Sequence, residues 1–209
     1  AQDRFYLQID SLKADSLSNL NIWHVGASHV QGGIFPGKLR ENFQELAGEG
    51  ERGFVFPRQL AGTHEDRSIR MTAKGKWFAP MLTKNSKKKK PRYGITGFAA
   101  RCYSTASIGL NTNPKKRKTH WSFKQIRLLG YASSENAYPE LYVENKQCKH
   151  EFDSLTATYF YDLPKATDSV RIDFVIPEGE YLVFTGLQPI TGRKGINYFA
   201  SGVNGASVT

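Results

Sequence analysis

The chain has 209 residues, 39% of them hydrophobic and 12% aromatic, enough for one large domain or two small ones with a packed core. This composition excludes a chain disordered throughout, and no run approaches the ~20 apolar residues of a membrane span. The net charge is +10, yet Lys87-Lys88-Lys89-Lys90 and Lys115-Lys116-Arg117-Lys118 supply eight of the 29 basic residues beside Pro and Asn. Both runs read first as solvated loop tips, with polyanion binding as the rival and nucleic acid not the expected partner.

In chain order, AQDRFYLQID has neither a basic n-region nor an apolar h-region, so no signal peptide is visible; a mature chain after cleavage would look the same. Phe5, Ile9 and Leu12 recur at helical spacing and predict a short helix over 4–14. The apolar run 21–25 predicts a strand that ends in the Gly26-Ala27-Ser28-His29 turn. Residues 35–47 predict an amphipathic helix with Leu39, Phe43 and Leu46 on its buried face, Arg40 facing outward and Gly48 as its stop. Strand, turn and helix in this order open an α/β unit.

From Thr63 the pattern changes to short strand-like runs at 68–72, 95–104, 107–110, 122–131, 141–143, 155–163, 169–176 and 181–187. Several alternate, as Val170, Ile172, Phe174 and Ile176 do, and no helical stretch interrupts them. Such a series reads as an antiparallel sandwich or jelly roll. A last apolar strand over 196–200 runs into the turn of Gly202, Asn204 and Gly205. The expected organisation is α+β: residues 1–62 begin an α/β domain, 63–190 form an inserted β-sandwich, and 191–209 return as a strand and turn of the first domain.

Ser28 at a strand end is the first candidate for chemistry, because a serine oxygen there can attack a carbonyl beside unpaired backbone N–H groups. The plain alternative is a turn or capping serine, since the second glycine of a G-x-S-x-G elbow is missing. Gly202, Asn204 and Gly205 are a second set, a bend able to aim an N–H at an anion. Trp77, beside Lys74 and Lys76, and Trp121, after the second basic run, are singled out as exposed sugar contacts. Among the five histidines, His24 lies ~13 Å from Ser28 along an extended strand. His29 would point away if the strand continued, and His64 has Glu65 and Asp66 beside it. No metal-ligand spacing emerges, and Cys102 and Cys148 leave both a disulfide and two free thiols open.

Taken together, HVGASHVQ, FPGKLRENFQ, GERGFVFP, GITGF and YFASGVNGA resemble the SGNH (GDSL-like) hydrolases, more narrowly a bacterial cell-envelope subgroup with a β-sandwich inserted after the first α/β unit. The resemblance implies a flavodoxin-like α/β domain and ester hydrolysis without a cofactor. It implies Ser28 as nucleophile and Gly205 as an oxyanion-hole donor; Asn204, Gly202, Trp77 and Trp121 are the candidate substrate contacts read from the residues themselves. It implies an O-acylated carbohydrate or small ester as substrate and a secreted, periplasmic or envelope location. Two features depart from the family pattern. Ala27 stands where the family carries an aspartate, and neither G-x-N-D nor D-x-x-H occurs before Thr209. The expectation is therefore a partial α/β layer, completed by a further part of the domain or by another chain. A non-catalytic carbohydrate-binding β-sandwich module is the alternative.

Overall fold

The computed structural model describes residues 2–64, 68–115 and 121–206. Helix α1 (Gln2–Lys13) packs Ile9 and Leu12 against Leu20 and Ile196, with Asp3 in its first turn and Lys13 in its last, as the helix dipole favours. Strand β1 (Asn19–Gly26) is followed by α2 (Ser28–Gln31), α3 (Ile34–Ala47) and α4 (Arg58–Ala61). Twelve further strands follow in sequence. They are β2 (Arg70–Lys74), β3 (Trp77–Phe78), β4 (Ala100–Cys102), β5 (Ala106–Asn111), β6 (Phe123–Ala132) and β7 (Tyr138–Val143), then β8 (Lys146–Cys148), β9 (Glu151–Asp153), β10 (Thr158–Thr167), β11 (Ser169–Val175), β12 (Leu182–Ile190) and β13 (Gly195–Gly202). The architecture is α+β, mostly antiparallel sheet with few helices.

β1 and β13 pair in parallel, from Asn19–Gly195 to Gly26–Gly202. The segment after α3 runs along the far side of β13, where Ile196 donates to the Gly48 carbonyl at 3.0 Å and Tyr198 to that of Glu51 at 3.0 Å. The approach is so close that a Cβ on Gly195 would lie 2.4 Å from the Gly48 carbonyl oxygen. No described strand lies on the other side of β1. Its outward residues Trp23 and Val25 are 49% and 72% exposed.

The remaining strands form two antiparallel sheets, ordered β3-β4-β12-β6-β10-β9 and β2-β5-β11-β7-β8. One core joins them: Phe123, Ile126, Leu128, Tyr161, Leu182 and Phe184 from the first, Met71, Ile108, Leu110, Leu141, Ile172 and Phe174 from the second. Each such side chain contributes about 1.5–3 kcal/mol by leaving water. On β11 the alternation is realised, with Val170, Ile172 and Phe174 buried and Ser169 and Arg171 exposed.

Several expectations change in detail. α3 buries Pro36, Gly37, Arg40 and Gln44, while Leu46 is exposed. Polar side chains win the inner stripe because Gln44 Nε2 donates to the Ile196 carbonyl at 2.9 Å and Arg40 Nη2 to Ser68 Oγ at 3.3 Å. Within 95–104 only β4 is strand, because residues 94–97 close a turn with Gly97 at φ +79°. Leu155 is 95% exposed before the start of β10. β12 runs on to Ile190 past a bulge between Phe184 and Gly186. Cys102 and Cys148 are both buried free thiols.

Candidate active site

Two glycines set the local geometry where β1 and β13 end side by side. A Cβ on Gly26 would lie 2.5 Å from Val30 Cγ2, and one on Gly202 would lie 2.2 Å from the Gln31 nitrogen. α2 therefore rests directly on both strand ends. Ala27 precedes it with a side chain that cannot cap, and its carbonyl accepts from Gln31 N–H at 3.0 Å. Ser28 opens α2 and is exposed, and its Oγ makes no hydrogen bond among the described residues. α2 is a single turn, and Gly33 at φ +72° then redirects the chain into α3. Ser28 thus stands on a separate turn and not at the start of the long helix, so the dipole of α3 does not act on it.

The glycine bend arrives beside this turn. Val203 N–H donates to the Gly26 carbonyl at 3.1 Å, and Asn204 N–H donates to Gln31 Oε1. Thr83 Oγ1 donates to the Asn204 carbonyl at 2.8 Å, and Ala206 N–H closes the bend onto Val203 at 3.1 Å. Gly205, at φ +77°, keeps an N–H with no hydrogen-bond partner among the described residues. Gly202 acts through its missing side chain, and the Asn204 N–H is already engaged by Gln31. Gly205 is the member of the set left with a donor to offer.

The tryptophans lie elsewhere. Trp77 Nε1 donates to the Lys74 carbonyl at 2.9 Å and its ring packs edge-on against Phe174 at 5.2 Å, so it borders the core and is not the exposed contact expected of it. Trp121 is half-buried, and its carbonyl accepts from the Thr112 hydroxyl. No hydrogen bond or ring contact ties either to α2 or to the Val203–Ala206 bend.

No described histidine bonds Ser28. His24 Nδ1 shares a hydrogen bond with Tyr198 Oη at 2.7 Å and meets the Phe35 ring edge-on at 5.8 Å, on the helix side of the sheet. Burial raises the Tyr198 phenol above its usual value, and Arg40 pulls the other way. His29 is exposed on α2. His64 borders a cavity of about 110 Å³ that reaches from Val30 and Gly202 to the buried Arg40 and Arg52. Glu65, Asp66, His120 and the second basic run beyond Lys115 lie outside the described residues. His150 stands among Tyr138, Tyr159 and Tyr161, with its pKa lowered by burial. No described group of three His, Cys, Asp or Glu residues could hold a metal.

Sequence reasoning missed Gln31 and Thr83. Both hold the bend through backbone groups, and neither belongs to a motif. The one available signal was Gln31 three residues after Ser28, on the same turn.

No family model matches the chain, and no curated protein matches it by sequence. Among solved structures it is similar to one described as "Peptidoglycan O-acetylesterase in action, 5 min", with a TM-score of 0.68 and 20% identity. The match covers 96% of this chain and 51% of that one, so the chain spans about half the length of the solved structure it matches. At this identity the likeness is one of fold.

Proposed function

We propose that this chain forms the nucleophile-bearing part of a serine ester hydrolase of SGNH type that acts on O-acylated carbohydrate. The observation that carries the reading is the meeting of two segments more than 170 residues apart, the turn bearing Ser28 and the bend bearing Gly205. The shared fold with a peptidoglycan O-acetylesterase supports it. In the proposed reaction Ser28 Oγ bonds to the ester carbonyl carbon and its proton passes to a base. The N–H groups of Ser28 and Gly205 hold the oxyanion. The C–O bond to the sugar breaks, the sugar oxygen takes the proton, and water then releases the acid from Ser28.

The base is proposed to come from a further polypeptide segment packed along the open edge of β1, beside the exposed Trp23 and Val25. On this reading residues 63–190 are a jelly-roll-like sandwich inserted between 1–62 and 191–209, and the enzyme works in the envelope or outside the cell. Ser28→Ala in the full-length protein should lower acetate release from acetylated glycan, and p-nitrophenol release from its acetate ester, at least about a thousandfold. Unchanged turnover would remove Ser28 from the reaction.

Ala27, where an aspartate would brace the turn, favours a second reading as a glycan-binding module with Ser28 idle. Glycan binding with no hydrolysis by the full-length protein would establish that reading instead.

A further inference from the structure

The bend that carries Gly205 is a β-turn whose central peptide can face either way. Ala206 N–H donates to the Val203 carbonyl at 3.1 Å and closes the turn. Gly205 follows Asn204 with φ +77°, and the φ of Asn204 is not positive, so the turn is of type II. Types I and II differ chiefly in the central peptide, here Asn204–Gly205, which is turned over by roughly 180° between them. Glycine accepts either sign of φ, so residue 205 itself does not choose between the two. The C=O and N–H of a trans peptide point in opposite directions. The turn type therefore decides whether the Gly205 N–H or the Asn204 carbonyl faces an approaching anion.

The peptides before the central one are held from the Ser28 side. Val203 N–H donates to the Gly26 carbonyl at 3.1 Å, and Asn204 N–H donates to Gln31 Oε1. The central peptide is held from the β-rich block. Thr83 Oγ1 donates to the Asn204 carbonyl at 2.8 Å, and a Cβ on Gly205 would lie 3.5 Å from the same oxygen. Thr83 belongs to the connection between β3 and β4, which is itself braced. Tyr93 Oη donates to the Pro80 carbonyl at 3.0 Å, Lys90 Nζ to the Leu82 carbonyl at 2.8 Å, and Lys84 N–H to the Met81 carbonyl at 3.3 Å. Val203 rests on Gly97 of the same connection, where a Cβ would come within 2.4 Å of Val203 Cγ2.

Resting on the hydrolase reading above, we propose that Thr83 is a positioning residue for ester hydrolysis: its hydroxyl, bonded to the Asn204 carbonyl, holds the turn in the type II form and so presents the Gly205 N–H to the oxyanion. Two effects act together. Turning the peptide over breaks the Thr83 hydrogen bond. While that bond is made, it polarises the peptide and strengthens the N–H at its other end as a donor. The β-rich block thereby takes part in the reaction.

Turnover of p-nitrophenyl acetate by the full-length protein tests the proposal, with Thr83→Val, Thr83→Ser and Ser28→Ala measured side by side. Thr83 is exposed, so neither of its substitutions opens the core. Thr83→Val keeps the shape and loses the hydroxyl. One lost hydrogen bond shifts the turn equilibrium about fivefold to tenfold, less than the hundredfold or more that follows deletion of an oxyanion donor. kcat should fall by about that fivefold to tenfold while KM stays within about twofold, because the oxyanion forms only on the way to the transition state. Thr83→Ser keeps the donor and should stay within about twofold of the unsubstituted protein in both constants. An unchanged kcat in Thr83→Val, an equal loss in Thr83→Ser, or a rise in KM that accounts for the loss would overturn the proposal. Where Ser28→Ala abolishes turnover, those results remove Thr83 alone and leave the hydrolase reading standing. A Ser28→Ala variant that turns over normally, or a full-length protein that hydrolyses no ester, removes both.

Discussion

Replacing Gly202 by alanine tests whether the candidate site depends on glycine at the strand end. The added Cβ would lie 2.2 Å from the Gln31 nitrogen, 2.7 Å from the Val30 carbonyl carbon and 2.8 Å from Gln31 Cα. All three are backbone atoms, so no side chain can rotate away. Ordinary contact begins at 3.4 Å, which requires α2 or the end of β13 to retreat by more than an ångström. Overpacking of this kind costs about 1–3 kcal/mol, and in a chain of this size each kcal/mol lowers Tm by about 2–4 °C. The same retreat carries Ser28 with it, and a displacement near 1 Å at a reacting group costs about a hundredfold in rate. Gly192→Ala is the control. Gly192, unlike Gly202, has a positive φ, +73°, so alanine there bears backbone strain, but a Cβ there meets nothing within 4 Å. The assay pairs urea unfolding with p-nitrophenyl acetate turnover by the full-length protein. A Gly202→Ala variant as stable and as active as the unsubstituted protein would refute the argument that α2 is seated on the strand end, and loss of turnover in Gly202→Ala but not in Gly192→Ala separates displacement of α2 from backbone strain alone.

Two further predictions rest on buried groups. The Glu51 carboxylate accepts from Thr191 N–H at 2.9 Å, Gly192 N–H at 2.8 Å and Thr191 Oγ1 at 3.2 Å, and so fixes the turn between β12 and β13. Glu51→Ala leaves these donors unsatisfied and should cost about 2–4 kcal/mol in urea unfolding, while Glu51→Gln, which keeps one acceptor, should recover part of it. Burial pushes the Cys102 thiol up to about 12 and raises that of Cys148. Neither forms appreciable thiolate at neutral pH, so aromatic disulfide reagents should label both only in denaturant, and rapid labelling of the native protein would contradict the packing.

Helices α1 and α3 and strands β5, β6, β11 and β13 were legible in the chain because their signal is local. Apolar residues recur at three or four, or at two, over enough positions to show a period. The order of strand, turn, helix and β-rich block, and Ser28 as a candidate, also came from residues alone, whereas Gly205 was singled out from its glycine turn only through the family resemblance. Shorter pieces were not legible. β3, β8 and β9 have only two or three residues each, too few to show a period. For the same reason Trp77 could not be assigned to the core side of its sheet from sequence. The buried stripe of α3 was misread because its partners, the Ile196 carbonyl and Ser68, lie on other elements and accept polar groups that hydropathy sends outward.

Tertiary structure alone decided which distant backbones touch. Gly202 must be glycine because Val30 and Gln31 lie against it, and the Gly205 bend has its position because Gln31 and Thr83 hold it. Sequence specifies the propensity of each segment through its near neighbours. Sites form where segments meet, and that meeting is set by the close packing of the whole chain.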